Sequence, residues 1–511
     1  MKRLTRRRDF LKTALGAAAL TFPSLGEPGE ARGKRPSILL AIADDWSWPH
    51  ASCAGCTFVR TPNFDRVARE GVLFQHAYVA APSCTASRGS LLTGQWFWRL
   101  KQGANLFGAL PSEFAVYPDL LEKAGYQVGC TGKGWGPGDW TESGWTRNPA
   151  GPEYNRLKTQ PPTPQMNRID YAANFQEFLT QRDKQRPFCF WYGATEPHRD
   201  YAYGSGLRAG MKLEDLKVPA CFPDSKEVRT DLLDYALEVQ YFDEHLGRMI
   251  RILERTGELD NTLIAVTGDN GLPFPRCKIN VYDGGTATPL AIRWGERVKG
   301  GGVVEDFASL CDLAPTFLEA AGLEPGPQMT ARSLLGVLLS GKSGEVDPQR
   351  DHVLTGKERH TEAQPAPSRA GYPMRSIRTK DFLYIRNFHP ERYPAGIEGW
   401  SGSGKAVAID AHSHQKLPYW PFMDIDDSPT KRYMMDHRDD PDVESLFELA
   451  FRRRPEEELY DLKKDPDQLH NVADVPAYAQ IKNQLWGKLL AELQATGDPR
   501  VVGGGDQFDE Y

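Results

Sequence analysis

Asp44-Asp45 and Asp269-Asn270 stand far apart in the chain, yet together they offer three carboxylates and an amide. All are hard oxygen donors, a set that suits calcium or magnesium better than zinc, which takes His or Cys with few carboxylates. Taken singly, each pair has a plain explanation, because Asp and Asn hydrogen-bond their own backbone in turns. The metal reading therefore requires the fold to bring them together. Lys133, His198 and Lys278 add cationic or proton-donating groups. A tri-carboxylate metal site ringed by cations would hold a tetrahedral anion, sulfate or phosphate, against the metal. The remaining part is a nucleophile. Ser83-Cys84-Thr85-Ala86-Ser87-Arg88-Gly89-Ser90-Leu91-Leu92-Thr93-Gly94 reads as a loop leading into a short helix, whose amino end favours anions. Cys84 there is either an activated thiolate or a buried small apolar residue.

The elements that must position these groups share a pattern. Ser37–Ala43 stops at Asp44-Asp45, and Tyr126–Thr131 stops at Gly132-Lys133. Phe188–Tyr192 soon reaches Glu196-Pro197-His198, and Thr262–Val266 stops at Gly268-Asp269-Asn270. Apolar runs without alternation suit strands buried on both faces, as in parallel sheets covered by helices. Between them lie helices. Pro62–Glu70 has Thr61 as cap, proline at its first position and Gly71 past its end, and Tyr235, Val239, Phe242, Leu246 and Ile250 repeat at helical spacing. Alternating strands and helices indicate an α/β domain. Ligands of such sheets bind outside the carboxyl ends of the strands, so four polar strand ends would form one site.

Composition narrows the class. The 511 residues carry 62 basic against 68 acidic side chains, a net charge of -6, which argues against a general nucleic-acid binder. Hydrophobic residues at 40% and charged residues at 25% are ordinary soluble values. Eight cysteines are too sparse for a disulfide scaffold. Cys53 and Cys56 form one CxxC pair without a second or a clustered His, so no zinc site is supported. Residues 1–33 read as a signal peptide, with a basic stretch, Lys2 to Arg8, before a short apolar one. Arg7-Arg8-Asp9-Phe10-Leu11-Lys12 resembles the twin-arginine export motif, which implies the twin-arginine export machinery as partner and a periplasmic or secreted location. No apolar run after residue 33 is long enough for a stable membrane span.

Cys84-Thr85-Ala86-Ser87-Arg88, followed by Ser90-Leu91-Leu92-Thr93-Gly94, resembles the signature of type I sulfatases, and the order Asp-Asp, Cys-x-x-x-Arg, Gly-Lys, Pro-His, Asp-Asn and Lys is the family's order. Gly268–Pro275, Tyr372–Ser376 and Glu458–Asp461 with Asp465-Pro466 are similar to the sulfamidase branch and its bacterial relatives. The resemblance spans about residues 36 to 495. It implies an alkaline-phosphatase-like sulfatase fold: a large, mostly parallel sheet between helices, plus a smaller C-terminal α+β subdomain with an antiparallel sheet. The expected division is a catalytic domain over 34–365 and a C-terminal subdomain over 366–511.

What the resemblance implies for the site goes residue by residue. A formylglycine-generating maturation enzyme would oxidise Cys84 to Cα-formylglycine. Asp44, Asp45, Asp269 and Asn270, with the modified Cys84, would bind Ca2+. Arg88 would steady the aldehyde hydrate, and Lys133, His198 and Lys278 would hold the sulfate or the leaving oxygen or nitrogen. His198 is the first candidate for the acid that protonates the leaving atom and Lys278 the second. The family usually has a histidine two residues after the lysine of Gly-Lys; here that residue is Trp135, for which sugar stacking or pocket shape is the expected role. A second departure is Ala287, where many members have arginine after Gly-Gly. His360, with His412 and His414, is a candidate for lining a sugar pocket.

The implied function is release of inorganic sulfate from a sulfated sugar or polysaccharide, through a sulfamate of N-sulfoglucosamine type or a carbohydrate O-sulfate ester. The competing readings are a phosphodiesterase or phosphonate monoester hydrolase of the same superfamily and, in another class, a sulfated-glycan-binding protein that has lost catalysis. Toward the C-terminus, Tyr372–Ile377 and Phe382–Phe388 pair as a hairpin around Thr379-Lys380-Asp381, and Ala477–Leu493 reads as a covering helix.

Overall fold

The apolar run Ser37–Ala43 becomes a strand, β1, with every residue buried. Its side chains alternate between two cores. Leu39, Ala41 and Ala43 point into one and Ile38, Leu40 and Ile42 into the other, which is why the run has no polar alternation. Six more strands join it: β2 (Val72–Tyr78), β3 (Gln127–Gly132), β4 (Phe188–Gly193), β5 (Thr262–Gly268), β6 (Leu290–Arg293) and β7 (Gly302–Ser309). The sheet order is β3-β4-β1-β5-β6-β2-β7. Only β6 runs against its neighbours, pairing antiparallel with β5 and β2, while the other pairs are parallel.

This computed structural model describes residues 34–365, 367–398 and 421–511, with a two-residue strand pair, Ala408–Ile409 and Lys416–Leu417, in the stretch between. The signal expected over residues 1–33, and His412 and His414, lie outside the described residues. No helix among the described residues is long and apolar enough to cross a membrane.

Helices cover both faces of the sheet. Lys226–Thr256 starts at Ser225, whose side chain accepts from the Val228 N–H, and ends at Gly257. The apolar residues expected to repeat along it, Tyr235, Val239, Phe242, Leu246 and Ile250, all enter one core, where full burial of each apolar side chain contributes about 1.5–3 kcal/mol. The helix α1 (Pro62–Glu70) has the expected bounds, but Thr61 makes no side-chain cap. Its hydroxyl instead donates to Asp65. Gly71 is required for a different reason than helix termination: a Cβ there would lie 2.1 Å from the Ile292 carbonyl oxygen on β6.

The second sheet is antiparallel, in the order β13-β10-β9-β8, built from β8 (His352–Lys357), β9 (Met374–Thr379), β10 (Phe382–Asn387) and β13 (Glu457–Asp461), with the two short strands between counted as β11 and β12. The expected hairpin is β9–β10. The sheet's first strand in the chain, β8, precedes residue 365. The covering helix begins as a 3-10 turn at Pro476–Tyr478 and runs on as Ala479–Ala495, burying Leu485, Leu489 and Leu493. These leucines share a core with Ala81 and Ala86 of the segment around Cys84, and Arg35–Tyr511 forms one compact unit.

Candidate active site

The four strands expected to end in polar residues are β3, β4, β1 and β5, and they are consecutive neighbours in the sheet. Because these strands are mutually parallel, their carboxyl ends open at one edge. Lys133, the loop to His198, Asp44-Asp45 and Asp269-Asn270 therefore converge. Gly132 turns the chain at φ +77°, and a Cβ there would lie 1.9 Å from the Gly193 carbonyl oxygen; only glycine lets Lys133 enter so close to β4.

Cys84 is the first residue of a helix, α2 (Cys84–Thr93), all of whose residues are buried. The loop that leads into the helix ends at Ser83, and the helix starts at Cys84 itself. Ser83 stands at its cap without capping, since its hydroxyl pairs with His360 Nδ1 at 2.9 Å. Cys84 Sγ lies 3.4 Å from Asp44 Oδ1. One helical turn on, Arg88 donates Nε to Asp269 Oδ2 at 2.7 Å and Nη1 to the carbonyls of Lys133 and Gly134 at 2.9 and 3.0 Å. Lys133 Nζ is 2.6 Å from Asp44 Oδ2, and Lys278 Nζ is 2.8 Å from Asp45 Oδ2. Asp45 has the left-handed backbone φ of +75°, a conformation that Asp tolerates better than most residues. Its N–H is held by Asp269 Oδ1 at 3.0 Å.

The oxygen cluster suits a hard cation. Asp44, Asp45, Cys84 and Asp269 each present a ligand atom within 4.8 Å of the others. The Asn270 Nδ2 donates to Asp45 Oδ1 at 2.7 Å and to Asp269 Oδ1 at 2.5 Å, while its Oδ1 is buried without a hydrogen-bond partner. Turning the amide over would aim that oxygen at the same point, and amide orientation is assigned from hydrogen bonding rather than seen. Burial pushes Asp45 up to about 6 against the pull of Lys278, and Asp269 up to about 6 against that of Arg88. Burial opposes the charge of Asp44 too, but Lys133 and then Arg88 hold it well below the usual carboxylate range. Arg88 Nη2 is buried without a hydrogen bond and lies 3.5 Å from Asp44 Oδ1. A divalent cation would relieve the crowded carboxylates and release the lysines that now neutralise them.

The two readings of Cys84 separate here. Burial, and then Asp44, push its thiol well above the ordinary value, so an unmodified Cys84 is a poor thiolate nucleophile. His198 Nδ1 lies 2.7 Å from the Arg199 carbonyl oxygen, which can only accept, so the proton sits on Nδ1 and Nε2 points inward, 3.9 Å from Asp45 Oδ2. Burial, and then Lys278, lower the pKa of His198.

Two candidates depart from their expected setting. Trp135 is 3% exposed and packs in the core that includes Leu91, Leu100 and Leu110, its Nε1 3.6 Å from where a Cβ on Gly89 would stand. Its ring faces are occupied by protein rather than open for stacking. His360 is 5% exposed, beside Ser83, and burial pushes its pKa down to about 3. One participant escaped the sequence reading. Asp426, from the segment between the second sheet's strands, places Oδ2 3.3 Å from Lys278 Nζ. Its signal, Asp424-Ile425-Asp426-Asp427 ahead of Ser428-Pro429, reads as ordinary preparation for a helix, and Ser428 does cap Pro429–Asp436.

This edge of a mostly parallel sheet gathers oxygen ligands, cations and a helix-start cysteine, as a sulfatase requires, and the sulfatase family model matches residues 36–323. The chain belongs to that family. The model described as N-sulphoglucosamine sulphohydrolase, C-terminal, matches residues 277–388. Human N-sulphoglucosamine sulphohydrolase is 27% identical over 93% of each chain. An ulvan-active sulfatase of Formosa agariphila is 26% identical, covering 94% of this chain and 84% of its own. A protein solved in complex with its substrate D-glucosamine-2-N,6-O-disulfate superposes with a TM-score of 0.64 at 20% identity, covering 91% of this chain and 99% of its own, and so shares the fold. The expected alkaline-phosphatase-like sulfatase architecture is the one found.

Proposed function

We propose that this sulfatase releases inorganic sulfate from a sulfated sugar or polysaccharide, using Cα-formylglycine made from Cys84 and a calcium ion held by Asp44, Asp45, Asp269 and Asn270. The observation that carries the reading is the setting of Cys84: buried at a helix start, 3.4 Å from a carboxylate and suppressed as a thiolate, where its Sγ occupies the place an aldehyde oxygen would take. Formylglycine in its hydrated form supplies a hydroxyl nucleophile that an unmodified cysteine lacks. Calcium supplies charge neutralisation for that hydroxyl and for the sulfate oxygens.

The chain's own residues do the rest. Arg88, locked on Asp269, presents Nη2 toward Asp44 and the Cys84 position. Lys133 and Lys278 carry the positive charge that meets the sulfuryl oxygens, preorganised by the strand ends that hold them. His198 offers Nε2 to the leaving oxygen or nitrogen. With Nδ1 committed to the Arg199 carbonyl, it delivers a proton only as imidazolium, a form favoured by the negative charge of the bound sulfate ester or sulfamate. Lys278 is the second candidate donor. The substrate is either an N-sulfoglucosamine-type sulfamate or a carbohydrate O-sulfate ester, in keeping with what the names of the relatives state for them. The leader over residues 1–33 supports twin-arginine export to the periplasm or beyond, and maturation by a formylglycine-generating enzyme.

Assay of the matured protein against sulfated sugars, a phosphodiester and a phosphonate monoester tests this reading. Sulfate release well above any phosphorus chemistry is expected. Hydrolysis of the phosphodiester or phosphonate alone would replace it with the superfamily alternative, and binding without any turnover would support a glycan-binding protein.

A further inference from the structure

Around Lys278, exposure increases in one direction. The Asp45 side chain is wholly buried and Lys278 keeps 5% of its side-chain surface, whereas Asp426 keeps 25% and His198 28%. The ammonium lies 2.8 Å from Asp45 Oδ2 on its inner side and 3.3 Å from Asp426 Oδ2 on its outer side. Asp45, His198 and Asp426 each offer an atom within 4.8 Å of the other two. They do not form a second metal site, because the Lys278 ammonium already sits on both carboxylates and supplies the cation. The inner acids have partners of their own: Asp44 holds Lys133, and Asp269 holds Arg88.

Asp426 is held from both sides. Two residues earlier, Asp424 accepts from the Thr361 N–H at 2.8 Å and pairs with Lys357 at 3.3 Å. Two residues later, Ser428 caps the next helix, and in its first turn Thr430 donates to Asp231 at 2.6 Å. Lys431 Nζ closes back on the Ile425 carbonyl at 2.7 Å. The backbone that carries Asp426 is thus anchored on both sides, and its carboxylate is turned toward Lys278. A sulfate drawn among Arg88, Lys133 and Lys278 has its sugar on the outer side, where Asp426 and His198 stand together.

We infer that Asp426 selects the sugar: its carboxylate accepts a hydrogen bond from a hydroxyl or amine beside the scissile linkage, and repels a substrate with a second sulfate or a carboxylate at that place. The inference rests on the sulfatase reading above. A carboxylate accepts hydrogen bonds and donates none, and like charges brought together at a site are strongly discriminated against.

The test uses the matured full chain and two matched pairs: N-sulfoglucosamine with its 3-O-sulfated form, and N-acetylgalactosamine 6-O-sulfate with its 4,6-di-O-sulfate. For the pair that is turned over, the wild type should prefer the monosulfate in kcat/KM by about tenfold or more. Asp426→Asn should erase at least about tenfold of that preference, mainly by lowering KM for the disulfate, and Asp426→Glu should retain it. Asp426→Ser serves if the asparagine variant does not fold. Absence of any preference in the wild type, or a parallel fall for both members that leaves their ratio unchanged, would overturn the inference while leaving the sulfatase reading intact, with Asp426 serving only to hold Lys278. A wild type that releases no sulfate from either pair would overturn the inference as drawn for these sugars, and one that releases none from any sulfated sugar would overturn the sulfatase reading with it.

Discussion

Arg88 Nε lies 2.7 Å from Asp269 Oδ2, and both side chains are withdrawn completely from solvent. This pair joins the helix that begins at Cys84 to the end of β5, so one contact ties the candidate nucleophile's helix to one of the candidate metal ligands. Asp269→Ala would leave the guanidinium buried with little compensation, which costs about 3–5 kcal/mol. We expect a lowered Tm, no bound calcium by elemental analysis and no turnover. Full activity after exhaustive chelation, with no metal bound, would count decisively against the metal assignment.

Cys84→Ala and Cys84→Ser should behave differently from that variant. Both replace a small side chain whose one polar contact is a weak thiol bond to Asp44, so denaturant midpoints should shift by no more than about 1 kcal/mol. Turnover should vanish, provided the serine is not itself converted. A serine variant that is unconverted yet as active as the wild type would show that the aldehyde is dispensable.

Trp135 should act through stability. Its ring is buried in the core beneath α2, and truncating such a side chain costs about 3–5 kcal/mol. Urea unfolding of Trp135→Ala should show that loss. Unchanged stability with a raised KM would instead return Trp135 to the sugar pocket.

A pH test lies away from the active site. His352 at the start of β8 pairs with Glu492 on the covering helix at 2.5 Å and with Asp351 at 2.6 Å. Burial opposes its charge, but Glu492 and then Asp351 raise its pKa above the ordinary value. A raised folded-state pKa contributes stability that is complete below the unfolded value of about 6.5 and is lost as pH climbs through the folded value. Because the carboxylates are partly exposed, the contribution is about 0.2–1 kcal/mol. The Tm gap between wild type and His352→Gln should therefore be widest on the acid side of neutrality and close at alkaline pH; a gap that widens with pH would refute the pairing.

The fold was legible wherever one residue type served one purpose. Uninterrupted apolar runs marked β1, β3, β4 and β5 because both faces of that sheet are covered, and the polar residue after each run marked the site's edge. Cys84 and Arg88 could be placed because a helical turn fixes their spacing. Asp426 could not, since a carboxylate near a helix start has an adequate local explanation and its partner, Lys278, is distant in sequence. Trp135 misled for a related reason: an aromatic residue near a catalytic lysine suits either a pocket or a core, and only packing against Gly89 and its neighbours decides between them. Thr61 shows the same limit on a smaller scale, its hydroxyl donating to the Asp65 side chain rather than accepting from a backbone N–H of the helix it precedes.

The most direct test of the account couples chemistry at Cys84 to turnover. Protein preparations matured to different extents would be analysed by peptide mass spectrometry for the aldehyde or its hydrate at Cys84, and the same samples assayed for sulfate release from a sulfated sugar. The account predicts that activity rises in proportion to the converted fraction and extrapolates to zero for the free thiol. Full turnover from a preparation carrying only the Cys84 thiol would contradict it.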